Sequence, residues 1–112
     1  MTCIGPCVEH AISRSREILG YGVTLDDVRG FALQILEHGG WPTEHPRGDI
    51  VPIEEARAGD LLVMAAHNGA GHLAVLLPTG EVEDYRVACQ SVCVLPMRRV
   101  RRLIVQVWRP KP

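Results

Sequence analysis

The sequence predicts an α+β domain in which N-terminal helices pack on a mostly antiparallel sheet, and three observations predict it. Apolar residues recur with helical spacing before residue 40. Short runs rich in Val, Leu and Ile follow from Leu61 onward. Between the two lies a stretch broken by Pro42, Pro46 and Pro52. The 112 residues fall below the roughly 150 usual for one domain, so residues 1–112 are read as a single core. With 46% hydrophobic and 22% charged residues the chain has the composition of a folded globule rather than a disordered tail or a fibre.

The first helix is expected from Pro6 to Leu19, since Pro suits the first helical position and Gly20 supplies a stop. Its stripe of Val8, Ala11, Ile12, Ser15, Ile18 and Leu19 is narrow and lined with small side chains, which suits close packing on a sheet. A second helix is marked by Thr24 with Asp27 three residues on, resembling a capping box, followed by Val28, Phe31, Ala32, Ile35 and Leu36. Gly39-Gly40 ends it. Trp41 to Ala58 reads as a connecting arm, because its prolines remove backbone donors and forbid a long regular element. Strands are expected at Leu61–Ala66, Leu73–Leu77, Val82–Tyr85, Val92–Leu95 and Leu103–Trp108. Pro78-Thr79-Gly80 joins the second and third as an antiparallel hairpin.

Charge and hydropathy exclude several functions. Twelve Lys and Arg against thirteen Asp and Glu give a net charge of -1, without the positive field that a nucleic-acid-binding module needs. Arg98, Arg99, Arg101 and Arg102 form the one charge run and read as a solvated edge. No apolar run approaches the ~18 residues of a membrane span, and the opening residues lack the pattern of a secretory signal, so synthesis in the cytoplasm is the expectation.

The four cysteines form two pairs of like spacing, Cys3 with Cys7 and Cys89 with Cys93. They are expected as reduced thiols. The intervening residues do not form the usual zinc turn, so neither a metal nor a cofactor is expected.

Cys7 sits at the start of the first helix, where the positive end of the backbone dipole favours the nucleophilic thiolate. A thiol nucleophile needs a base from elsewhere in the fold, and Gly71-His72-Leu73-Ala74-Val75 puts His72 at the head of an apolar strand. A hairpin turning near Thr79 carries Asp84 close to opposite His72, where it would orient the imidazole; this gives Asp84 a better claim than Glu81 or Glu83. His10, His38, His45 and His67 have no evident partner in the sequence, and Arg47-Gly48-Asp49 reads as a chance tripeptide.

The helix-starting Cys, Ala58-Gly59-Asp60-Leu61-Leu62-Val63-Met64 and Gly71-His72-Leu73-Ala74-Val75-Leu76-Leu77 together resemble the NlpC-type papain-like cysteine peptidases. Arg16-Glu17-Ile18-Leu19-Gly20 and Trp108-Arg109-Pro110 resemble its compact members associated with phage tails. The resemblance implies a papain-like fold, Cys7 as nucleophile, His72 as base and Asp84 in an orienting position that the family often fills with His. Cys3 is the alternative nucleophile, since Cys3-Ile4-Gly5 matches the family's Cys-x-Gly where Cys7-Val8-Glu9 does not. Pro6 nevertheless places Cys7, not Cys3, in the first helical turn. With six residues ahead of Cys7, the segment that builds one wall of the family's cleft is expected to be absent or supplied by a partner.

The implied function is hydrolysis of amide bonds in cell-wall (peptidoglycan) peptides, as part of a phage tail or tail-like assembly. The alternative is an inactive assembly protein of a tail tip that keeps the fold. The implied partners are accordingly a peptidoglycan peptide and tail-tip proteins, and the implied destination is the virion.

Overall fold

The structure, a computed structural model, describes residues 6–28, 47–65, 71–86 and 90–112. The first helix, α1, runs over Pro6–Leu19 as expected. Cys7, Val8, Ala11, Ile12 and Ser15 are its buried residues, spaced by the helical period. Gly20 ends it by donating its N–H to the Arg16 carbonyl at 2.8 Å. The capping box also forms: the Thr24 N–H donates to Asp27 Oδ2 at 2.8 Å and the Asp27 N–H to Thr24 Oγ1 at 3.3 Å. It opens α2, Leu25–Val28. The rest of the second predicted helix and residues 41–46 of the arm lie outside the described residues.

Six strands form one sheet: β1 (Gly48–Val51), β2 (Leu61–Ala65), β3 (Gly71–Leu76), β4 (Glu81–Arg86), β5 (Ser91–Pro96) and β6 (Ile104–Pro110). Their order is β1-β6-β2-β3-β4-β5, and every neighbouring pair is antiparallel. The β3–β4 hairpin closes through the Leu77 N–H to Glu81 O at 2.8 Å and the Gly80 N–H to Leu77 O at 2.9 Å.

The structure corrects the reading of Trp41 to Ala58 as a connecting arm alone. It contains β1, a four-residue strand bracketed by Pro46 and Pro52, and an edge position is where such flanking prolines are tolerated. A short helix that the sequence reading did not include, α3 (Met97–Val100), starts just ahead of the arginine run and takes in Arg98 and Arg99. Arg98, Arg99, Arg101 and Arg102 are exposed there, while Val100 turns inward.

The pleat divides the core in two. Under α1 lie Leu61, Val63, Leu73, Val75 and Trp108, packed with Cys7, Val8, Ala11, Ile12 and Val23. On the other face lie Leu62, Met64, Ala74, Leu76, Val82 and Val107, covered by Val100 with Ile53, Ala56, Met97 and Leu103 packed alongside. Full burial of one such aliphatic side chain contributes about 1.5–3 kcal/mol, so both faces are needed to hold the sheet.

Candidate active site

Gly59 and Asp60 set the approach of α1 to the sheet. Gly59 adopts φ +90°, and a Cβ there would run into the Leu19 side chain, so both its backbone and the helix contact require glycine. Its carbonyl accepts from Ser15 Oγ at 2.6 Å, and its N–H donates to Leu76 O at 2.8 Å. Asp60, 1% exposed, accepts the Arg57 N–H at 2.8 Å and a two-pronged contact from Arg109, Nε at 3.0 Å and Nη2 at 2.9 Å. Hydrogen bonding to Asp60 raises the Arg109 pKa above its already high ordinary value, so the guanidinium stays charged.

These contacts orient α1. Its C-terminal half sits where β3 ends, at Leu76, while His10 reaches Glu83 and Tyr85 on β4. The helix start, with Cys7, therefore lies toward the first residues of β3, and Cys7 packs in one cluster with Leu73. Cys7 is 1% exposed, and its thiol, like that of Cys93, is not in a disulfide.

His72, half-buried at the start of β3, makes a close contact through Nε2 with Oδ1 of the buried Asp84. The expected pair thus forms, but not by direct opposition. The register pairs Val75 with Glu83 and Leu76 with Val82; continued, it sets Asp84 across from Ala74 and His72 across from Arg86. His72 and Asp84 are diagonal neighbours on one face, within reach because the imidazole is long. Arg86 Nε stands 3.7 Å from the other Asp84 oxygen.

The face matters. His72 pairs in register with Met64, which belongs to the cluster away from α1, whereas Leu73 pairs with Val63 beneath α1. The structure therefore brings His72 and Asp84 together and places Cys7 over the opposite side of β3. Cys3 lies outside the described residues, as does Cys89. Cys93, half-buried on β5, is the register partner of Asp84 and so shares its face.

A second imidazole–carboxylate pair lies on the α1 side, correcting the reading of His10 as partnerless. His10 Nε2 meets Glu83 Oε2 at 2.8 Å, and Arg14 Nε meets the same oxygen at 3.2 Å. Arg14 also pairs with Glu17 at 3.0 Å; this bond, then the charge of Glu83, raises its pKa. The signal was present in the sequence, because odd positions of β4 must face α1 if Val82 faces away, but it required knowing which strand the helix crosses.

Among the described residues no cluster of three His, Cys, Asp or Glu side chains is arranged to hold a metal ion. No helix among them is long and apolar enough to cross a membrane. A concavity lined by Ser13, Arg16, Glu17, Gly20 and Tyr21 sits at the C-terminal end of α1, away from Cys7. Comparison of the chain with protein-family models, curated proteins and solved structures finds no match.

Proposed function

We propose that this protein is a thiol hydrolase that cleaves an amide bond in a cell-wall peptide, as a component of a phage tail or tail-like assembly, on the NlpC-type pattern its motifs resemble. The observation that supports this reading is the His72–Asp84 pair, an imidazole held by a buried carboxylate at the end of β3 toward which α1 begins.

The described arrangement sets Cys7 and His72 on opposite faces of β3, so in this reading the start of α1 and the first residues of β3 rearrange to bring them together in the active form. Cys7 Sγ gives its proton to His72 and attacks the carbonyl carbon; the tetrahedral oxyanion is held by N–H groups of the first helical turn. Collapse expels the amine, which takes the proton from His72, and water then hydrolyses the thioester with His72 again as base. Asp84 fixes the tautomer and orientation of the imidazole.

A second reading, an assembly protein without turnover, is favoured by the burial of Cys7 and by the direction of His72 away from α1. Digestion of purified peptidoglycan, with released peptides identified by mass spectrometry, decides between them. Release by the intact chain, abolished in Cys7→Ser and retained in Cys3→Ser, supports the hydrolase. Loss in Cys3→Ser instead moves the nucleophile one turn, and absence of release from the intact chain leaves the assembly protein.

A further inference from the structure

The two edges of the sheet differ. β1 is short, is flanked in the sequence by Pro46 and Pro52, and carries Asp49 with Lys111 Nζ 3.6 Å away, so prolines and charge blunt it against further pairing. β5 forms the other edge, and Ser91–Pro96 contains no charged side chain. Val92 and Val94 are 47% and 46% exposed. They pair in register with Tyr85 and Glu83, which sets them on the α1 side of the sheet, but α1 packs chiefly over β3 and β4. Among the described residues β4 is the one strand beside β5, so its outer backbone edge is open next to two uncovered valines.

β5 runs straight into α3, and Arg98 and Arg99 therefore lie within about 11 Å of Pro96 along the chain. Arg98, Arg99 and Arg102 are exposed and make no ion pair among the described residues, while Arg101 reaches Glu54 at 3.5 Å. An apolar edge with cations at one end, in a chain of net charge -1, is a directional feature that a partner can read.

The charges choose among occupants. A second copy pairing antiparallel through β5 would bring this cationic end to the Ser91 end of its twin, where Ser91 has Arg86 as register partner, so like charges would gather at both ends. A bilayer would leave the open N–H and C=O groups of the edge unsatisfied. Single-stranded nucleic acid stacks on aromatic rings, and β5 has none. An extended peptide satisfies the backbone edge, and carboxylates at one of its ends meet the arginines.

We propose that β5 is a docking edge for an extended partner segment that joins the sheet as one more strand, with alternate apolar residues beside Val92 and Val94 and an acidic end at Arg98 and Arg99. Main-chain hydrogen bonds supply the affinity, and the arginines fix the direction of the added strand. Such docking needs no turnover at Cys7 and serves the hydrolase and the assembly protein alike.

The test is titration of the full chain with fluorescein-labelled peptides of alternating Thr and Val that carry a block of Glu at one end, followed by anisotropy. The block is placed at the C-terminus in one peptide and at the N-terminus in another, because parallel and antiparallel addition bring opposite ends to Pro96. One of the two is expected to bind and to shift the backbone amide NMR signals of β5. Lys in place of Glu in the peptide, or Arg98→Glu with Arg99→Glu in the chain, is expected to weaken binding about tenfold. N-methylation of alternate peptide nitrogens is expected to abolish it, which separates strand addition from charge attraction. Val94→Lys, at an exposed position, is expected to do the same, with Val92→Lys serving if circular dichroism shows the first variant unfolded. No saturable binding of either peptide, equal binding of the Glu and Lys forms, or binding indifferent to N-methylation overturns the proposal. A chain that sediments as a dimer and is made monomeric by Val94→Lys also overturns it, and gives the edge to a second copy.

Discussion

Glu83 and Asp84 are consecutive residues of β4, yet their carboxylates take opposite faces of the sheet and each meets a different histidine. Glu83 reaches His10 on α1, and Asp84 reaches His72 on β3. The pleat reverses side chains at every residue, so one short strand serves two polar sites separated by the thickness of the sheet.

For the hydrolase reading, Asp84→Asn is expected to slow release of wall peptides while Cys7→Ser brings it to background. An orienting carboxylate acts through the base, whose own contribution is typically 10²–10⁴-fold, so a loss on the order of 10²-fold or less is expected. Initial rates on purified peptidoglycan check this, and equal rates for Asp84→Asn and the intact chain would remove Asp84 from the mechanism.

Asp60→Asn removes the anion that Arg109 grips with two nitrogens in a site 1% exposed at Asp60. Asn leaves the guanidinium, itself partly exposed, with its bond to the Glu55 carbonyl but without its charged partner, and a loss of about 1–3 kcal/mol is expected from urea unfolding. A change under 1 kcal/mol, roughly what an exposed ion pair contributes, would show the pair to be structurally dispensable.

Gly48→Ala tests the edge strand. A Cβ at Gly48 would press into the indole of the fully buried Trp108, whose Cζ2, Cε2 and Cη2 atoms are its nearest neighbours. Overpacking of this kind typically costs about 1–3 kcal/mol, and thermal unfolding should show it as a lower midpoint. An unchanged midpoint would mean that β1 moves away from β6 at little cost.

The capping box carries a pH signature. The Thr24 N–H and hydroxyl bond the Asp27 carboxylate and hold its pKa below the ordinary value. A depressed folded pKa adds stability above the unfolded Asp value of ~3.9 and loses it as pH falls through the folded value. Asp27→Asn should therefore lower the thermal midpoint at about pH 7 and leave it nearly unchanged at about pH 2, where both chains carry a neutral group. A midpoint difference that persists in acid would assign the effect to packing instead.

The amino-acid sequence by itself determined the bounds of α1, the capping box, the five strands from β2 onward and the Pro78-Thr79-Gly80 turn, because each rests on local periodicity or a local hydrogen bond. It also singled out His72 and Asp84 as a pair across a short hairpin, although as directly opposed residues rather than the diagonal neighbours they are. Tertiary structure decided the rest. β1 became a strand through pairing with β6, some sixty residues away in sequence, which no local pattern between two prolines encodes. The two-residue register of β3 on β4, and with it the diagonal His72–Asp84 contact, followed from where the turn closed. Which face α1 covers decided that His10 finds Glu83 and that Cys7 lies over Leu73 while His72 faces away. A strand fixes only the alternation of its side chains, and the choice of side is made by the helix that buries more apolar surface against one face than the other.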